Sequence, residues 1–275
     1  MTSPLQSIAS ALGERFEVDR ELGRGSASMV YAGRDRESGR AVAIKVLRPE
    51  LAVALQAARF RNEIALMAEL DHPNILPLIA ADQSGRLVYY AMPLADGGSL
   101  RDRLDASRQL PVPDVIAIAR DMAAALDHAH ARNVVHRDIK PENVMFVEGR
   151  LVLCDFGVAR ALERAGGERL SHTGLIIGTP SYMSPEQARG DADLDGRTDV
   201  YSLAGVTYEM LVGEPPFTGP NPQTIMARQL QAPPPSLRVV RPDVPEKVER
   251  AIRKALAKKP KDRPRTAGAF VKGLG

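Results

Sequence analysis

The residues richest in chemistry lie in one short run, His136-Arg137-Asp138-Ile139-Lys140-Pro141-Glu142-Asn143. Asp138 could accept or orient the proton of a hydroxyl, and Lys140 could neutralise charge on a group in transfer. Asn143 offers a neutral oxygen to a hard cation such as Mg²⁺. A second carboxylate follows in Asp155-Phe156-Gly157. Between the two, Val144-Met145-Phe146-Val147 and Leu151-Val152-Leu153-Cys154 flank the turn Glu148-Gly149-Arg150 and read as a β-hairpin. Such a hairpin brings Asn143 and Asp155 to its open end, where two oxygen ligands and the oxygens of bound phosphates complete a cation site. Either tripeptide core alone is common by chance. Both in this order, bridged by a hairpin, form a specific signal.

Three further features concern an anion. Leu22-Gly23-Arg24-Gly25-Ser26-Ala27-Ser28-Met29-Val30 sets two glycines on a turn between strand-like runs. Glycines let backbone N–H groups approach phosphates closely, although an ordinary Gly-rich hairpin reads the same way. No helix follows, which argues against a dinucleotide fold. Val42-Ala43-Ile44-Lys45 places one Lys in an apolar strand. Burying its ammonium is costly without an anion, whereas an edge-strand Lys can snorkel to water. Glu63 projects from the stripe Phe60, Ile64 and Met67 and is a candidate partner; a flank position reaching water is the plainer alternative.

These residues need elements to hold them. Short apolar or alternating runs at 16–18, 29–32, 41–46 and 87–92 predict strands, interrupted by one helix from about residue 51 to 70. After Gly97-Gly98 the period becomes helical, with Val115, Ile118, Met122, Leu126 and Ala129, and again with Val200, Leu203, Val206 and Met210. A strand-rich lobe joined to a helical lobe near residues 93–98 is the simplest division, and such a junction suits a ligand cleft. The 275 residues, 44% hydrophobic and 26% charged, exclude disordered and fibrous classes. A single Cys, Cys154, excludes an internal disulfide and points to a reducing compartment. The first residues lack the basic and apolar regions of a signal peptide, and no apolar run approaches the roughly 18 residues of a spanning helix. The net charge of +3 gathers in the C-terminal stretch, where Lys247, Arg250, Arg253, Lys254, Lys258, Lys259, Lys261, Arg263 and Arg265 interleave with Val248, Ile252 and Leu256. That pattern predicts a solvated amphipathic helix and no nucleic-acid partner.

In order, Gly23 to Val30, Val42-Ala43-Ile44-Lys45, Glu63, His136 to Asn143, Asp155-Phe156-Gly157 and Ser184-Pro185-Glu186 resemble the signature set of protein kinases, most closely the bacterial eukaryotic-like Ser/Thr kinases. The resemblance implies an α+β, bilobal protein-kinase fold: a small β-rich N-lobe with one main helix, about residues 10–95, and a larger, mainly helical C-lobe, about 96–274, in one catalytic domain spanning 1–275. It implies ATP with Mg²⁺, Mn²⁺ being the alternative ion, and transfer of the γ-phosphoryl group to Ser/Thr hydroxyls of proteins. Leu22, Gly23, Gly25 and Ser28 would shape the lid over the nucleotide, Val30 and Ala43 would sandwich the adenine, and Met145 would contact it too. Met92 resembles the gatekeeper, with Pro93, Leu94 and Ala95 as the hinge. Lys45 would hold the α and β phosphates with Glu63 fixing it. Asp138 would be the catalytic base and Lys140 the γ-phosphate contact, with Asn143 and Asp155 as metal ligands. Met67, Leu78, His136 and Phe156 resemble the stacked regulatory spine, which makes His136 structural. Asp199 would anchor the catalytic loop, and Glu186 would pair with Arg263.

Ser28 replaces the last lid glycine, Pro93 stands where a hinge acid is frequent, and Ser184 replaces an Ala. None of these departures removes a catalytic group. Lys140 and Thr179 resemble the Ser/Thr rather than the Tyr version of their loops, Thr179 belonging to the substrate platform. Ser171 and Thr173 are candidate autophosphorylation sites whose phosphate Arg137 would receive, against the plain reading of loop hydroxyls in water. A homodimer serving trans-autophosphorylation falls within the implied partners. The implied location is cytoplasmic, with a membrane anchor in longer relatives. Two other readings stand beside an active kinase: a nucleotide-binding scaffold of the same fold, which the presence of every site residue disfavours, and a small-molecule phosphotransferase, which the Ser184-Pro185-Glu186 and Gly178-Thr179-Pro180 segments disfavour.

Overall fold

The computed structural model describes residues 4–25, 28–48, 67–84, 87–156 and 180–275. Glu63, Gly157, Ser171, Thr173 and Thr179, and most of the helix expected over 51–70, lie outside the described residues. The described residues divide into two compact units, one holding those up to Asp71 with Leu76–Asp96, the other holding His72–Ile75 and those from Gly97 onward.

The first unit is an antiparallel sheet of β1 (Phe16–Arg24), β2 (Ser28–Asp35), β3 (Ala41–Leu47), β4 (Ala80–Ser84) and β5 (Leu87–Pro93), in the order β1-β2-β3-β5-β4. The alternation within β3 decides which side each residue serves. Val42, Ile44 and Val46 enter an apolar cluster with Phe16, Tyr31, Tyr89 and Ala91. Phe16 meets Tyr89 edge to face at 5.9 Å. Because side chains alternate along a strand, Ala43, Lys45 and Leu47 occupy the opposite face. Cross-strand register then sets Val30 and Tyr90 beside Lys45, and Ala32 and Met92 beside Ala43. The cluster face is covered by a helix that the sequence reading did not foresee, α1 (Pro4–Leu12), which contributes Ile8 and Leu12. Its spacing of Leu5, Ile8 and Leu12 is helical, but the segment is short and precedes the first recognised motif.

In the second unit, α2 (Leu100–Ser107) starts at a capping box formed by Ser99 and Asp102, and α3 (Val112–His130) buries Val115, Ile118, Met122, Leu126 and Ala129, the stripe its sequence period marks. The hairpin β6 (Val144–Val147) and β7 (Arg150–Leu153) is extended by a parallel bridge from Ile75 to Leu153. Next come α4 (Pro185–Arg189) and α5 (Gly196–Val212). Every α5 residue from Thr198 onward is buried, so it is the helix around which this unit is built. The remaining α-helices among the described residues are α6 (Pro222–Gln231), α7 (Leu237–Val240), α8 (Glu246–Ala255) and α9 (Ala267–Lys272).

The basic C-terminal stretch departs from the solvated reading at two positions. α8 itself keeps its cations outside, but the side chain of Arg263 is fully buried and forks onto Glu186 at 2.6 and 2.7 Å. Burial would raise the Glu186 carboxyl, and the Arg263 guanidinium outweighs it and holds it below the usual carboxylate range. Lys258 lies 4.0 Å from the centroid of the Phe217 ring, and burial, followed by the charge of Arg263, lowers its amine to about 8. The stretch is amphipathic, and its arginine at position 263 is used inside.

Removing one partner of a fully buried ion pair strands the other charge, so Arg263→Met is expected to cost about 3–5 kcal/mol of stability. Glu186→Leu/Arg263→Met should recover much of that loss in urea unfolding. Equal destabilisation in the single and double variants would contradict the assignment.

Candidate active site

The loop before β6 is tied down by one carboxylate. Asp199, in the first turn of α5 and fully buried, accepts the His136 N–H at 2.8 Å on Oδ2 and the Arg137 N–H at 2.8 Å on Oδ1. The His130 ring, at the end of α3, meets Oδ2 from Nε2 at 2.7 Å. Arg137 adopts a left-handed φ of 70°, uncommon for a residue with a side chain, and its carbonyl accepts from Gln187 Nε2 at 2.7 Å. These two bonds, from Asp199 and Gln187, tens of residues away along the chain, hold that conformation in place. Burial opposes charge on His130, but its bond to Asp199, with Asp127 and Asp195 nearby, outweighs burial and raises the ring above the usual histidine range. Asp199 responds in the opposite sense. Burial would raise it, and the His130 bond together with the Arg137 N–H holds it below the usual range.

The His136 ring reads from its partners. Nε2 faces the Cys154 carbonyl at 2.8 Å, which only accepts, and Nδ1 receives the Asp138 N–H at 3.3 Å. The hydrogen is therefore on Nε2 and both ring nitrogens are engaged. Phe156 packs against this ring at a tilt of 54°, with centroids 4.5 Å apart. His136 has a structural duty, as the sequence implied. Met67 and Leu78, the other two expected spine members, belong to the first unit.

Asp138 stands at the centre of a polar cluster. Its Oδ2 accepts Lys140 Nζ at 2.6 Å and Asn143 Nδ2 at 3.1 Å, while Asn143 Nδ2 also donates to the Asp138 carbonyl at 2.7 Å. Asp138 Oδ1 has no partner among the described residues and is the oxygen open to an incoming hydroxyl. Past β7, Cys154 donates its N–H to the Asn143 carbonyl at 3.0 Å, which extends the hairpin pairing by one step and sets Asp155 at the end carrying Asn143. Asp155 has a left-handed φ of 67°.

The donor set fits a hard cation. With its nitrogen bound to Asp138, Asn143 has its amide oxygen left for a ligand, and Asp155 adds a carboxylate. No group of three His, Cys, Asp or Glu side chains that could hold a metal ion gathers among the described residues. Two protein oxygens, with phosphate and water completing the sphere, suit Mg²⁺ and Mn²⁺ alike.

In the first unit, Val30, Ala43, Lys45 and Met92 share the sheet face opposite the α1 cluster, and the Lys45 ammonium lies 5.7 Å from the Tyr90 ring centroid. Gly23 pairs with Val30 after an irregularity between Glu21 and Gly23, and the turn closes with the Gly25 N–H on the Ser28 carbonyl at 2.8 Å. Leu22 is exposed beside it. Leu94 donates its N–H to the Ala41 carbonyl at 3.2 Å, so that amide is spent within the sheet and any backbone reading of a base falls to its neighbours. Met145 sits on β6, where it bridges to Ser99 after Gly97 and Gly98 pair with Phe146. A Cβ at Gly97 would lie 2.8 Å from that of Phe146, so the close approach requires glycine.

Sequence reasoning missed Gln187 and His130. The capping box from Ser184 to Gln187 was a visible signal for the first. Nothing local distinguished His130, whose partner lies 69 positions away.

Comparison with known proteins agrees with this arrangement. The family model described as "Protein kinase domain" matches residues 16–272, and the chain belongs to that family. It is similar to serine/threonine-protein kinase PknB of Mycobacterium leprae (strain TN), 39% identical over 264 residues, covering 93% of this chain and 42% of that protein. A probable serine/threonine-protein kinase of Streptomyces coelicolor is 36% identical over 256 residues, covering 90% and 38%. The chain thus spans about two fifths of the length of the curated relatives it matches. Among solved structures, the Mycobacterium tuberculosis PknI kinase domain superposes with a TM-score of 0.75 at 32% identity, covering 94% of each chain. The sheet unit and the helical unit are those of a protein kinase fold.

His130 is raised in the folded chain, so its contribution to stability is fully present below the ordinary value of 6.5 and is lost as pH rises through the higher native value. The difference in unfolding free energy between wild type and His130→Asn should therefore be largest in mildly acidic buffer and shrink on going alkaline. Urea titrations across that range would show it, and a difference growing with pH would contradict it.

Proposed function

We propose that this chain is the catalytic domain of an active Ser/Thr protein kinase, residues 1–275, with its N-lobe at about 10–95 and its C-lobe at about 96–274. The observation that carries the reading is the loop in which Asp138, Lys140 and Asn143 are mutually bonded and anchored by Asp199. The hydroxyl of a protein Ser or Thr donates its hydrogen bond to Asp138 Oδ1 and yields its proton there as its oxygen bonds to the γ-phosphorus of ATP. The bond from that phosphorus to the bridging oxygen breaks, and ADP leaves. Lys140, held 2.6 Å from Asp138, balances negative charge on the group in transfer. Asn143 and Asp155 hold the metal ion, which when bound supplies charge neutralisation to the phosphates. Lys45, with Glu63 as its positioning partner, orients the α and β phosphates, and Val30, Ala43, Met92, Leu22, Leu94 and Met145 surround the base. Gly23, Gly25 and Ser28 form the turn over the phosphates.

The same reading makes Ser171 or Thr173 a site of autophosphorylation, in trans between two copies, with Arg137 receiving the phosphate and Thr179 supporting the acceptor peptide. An ATP-dependent activity and a lone, buried thiol at Cys154 support placement in the cytoplasm. No helix among the described residues is long and apolar enough to cross a membrane.

Phosphate transfer from ATP to a generic basic protein is expected for the wild-type chain and reduced by orders of magnitude in Lys45→Met and Asp138→Asn, both keeping the wild-type thermal transition. Asp155→Asn should lower turnover far more than nucleotide affinity. Wild-type rates in these variants would overturn the assignment, and transfer to a metabolite alone would replace the acceptor class. Mass spectrometry should find phosphate on 171 or 173 in the wild type and none in Asp138→Asn. An unmodified segment in an active enzyme would remove the autophosphorylation reading.

A further inference from the structure

Within the second unit, the end of α3, the start of α5 and the segment entering α9 line a cavity of about 780 Å³. That volume is in the range of sites for small organic ligands. The lining is ionic, with His130, Arg197, Lys261, Arg263 and Arg265 against Asp127 and Asp195.

Most of these charges are already matched. Asp127 accepts the N–H groups of Ala267 and Gly268, each at 2.9 Å. Asp195 caps α5 through the Arg197 N–H and pairs with the Arg197 guanidinium at 2.6 Å. Arg263 is bound to Glu186. What remains is cationic: Lys261 and Arg265 have no ion pair or hydrogen bond among the described residues, and His130 uses only Nε2, leaving Nδ1 without a partner there. An isolated unpaired surface cation is ordinary. Here two of them share a recess with a histidine.

We infer that this recess binds a small ligand carrying two or more phosphate groups, held by Lys261 and Arg265 with His130 beside them. Matching two free cations takes at least two negative charges, and phosphate oxygens accept several charge-assisted hydrogen bonds at once. Lys261 and Arg265 lie in the segment before α9 and His130 at the end of α3, and together they line a recess rather than a flat face, which suits a compact polyanion better than a bilayer. Occupancy reaches the catalytic loop by a short route. Asp199 Oδ2 takes both the His130 ring and the His136 N–H, so an anion that favours the protonated ring strengthens a bond on the carboxylate anchoring the loop.

The probe is tripolyphosphate, titrated without magnesium into the full chain while the imidazole resonances of its 5 histidines are followed by NMR. A saturable shift and a rise in the His130 titration midpoint are expected. Lys261→Ala/Arg265→Ala should weaken binding about tenfold or more, since each lost contact is charge-assisted. Lys254→Ala/Lys272→Ala removes the same charge from exposed positions outside the cavity and should leave the affinity unchanged. Equal weakening in both pairs, or binding that leaves His130 unaffected, would overturn the inference. So would binding to phosphatidylglycerol vesicles that depends on Lys261 and Arg265 with no response to tripolyphosphate, because the ligand would then be a membrane surface.

Discussion

A fully buried carboxylate, Asp199, has to find hydrogen-bond donors, and it finds them in the backbone of the loop that holds Asp138, Lys140 and Asn143. A charge removed from water is tolerated only where several polar groups satisfy it, so the Asp199 side chain and the His136 and Arg137 amides fix one another. Arg137 holds its left-handed turn with its N–H on Asp199 and its carbonyl on Gln187. Asp138 emerges directly from that turn, and Lys140 and Asn143 close around it. The precision of the loop is thus set by α5, a helix that supplies no reacting group of its own.

The first unit uses a different physical device. Its strands alternate, and one face is consumed by the apolar cluster beneath α1. Lys45 is consequently on the other face together with Val30, Ala43 and Met92, a cation among small and apolar neighbours. The period-two rule makes this assignment without reference to any ligand. The same rule leaves Leu94 at the strand's end with its amide bonded to Ala41.

Much of the fold was legible because its signals are local. Strands β1, β2, β3 and β5, the hairpin after Asn143 and the stripes of α3 and α5 announce themselves through spacing within a few residues, whereas the short β4 (Ala80–Ser84) was not foreseen. The misses were short or compositional. α1 is a helix of only nine residues lying before the first motif. In the basic C-terminal stretch, composition counted Arg263 with its solvated neighbours, although its partner is Glu186, far away in the chain. The expected pairing of those two residues came from ordered motifs, and charge patterning alone argued against it.

The sequence by itself determined the chemical inventory: an acid, a lysine and an amide in one loop, a second acid after a hairpin, and a lysine in an apolar strand. Residue type and local period depend only on near neighbours, so they survive being read along a line. Only the tertiary structure decided the hydrogen-bond partners, among them His130 on Asp199 and Gln187 on the Arg137 carbonyl, and it set Lys261 and Arg265, unmatched among the described residues, beside a histidine. Such partnerships join positions tens of residues apart, and they form where folding has excluded water and each buried polar atom must take whichever group lies within reach.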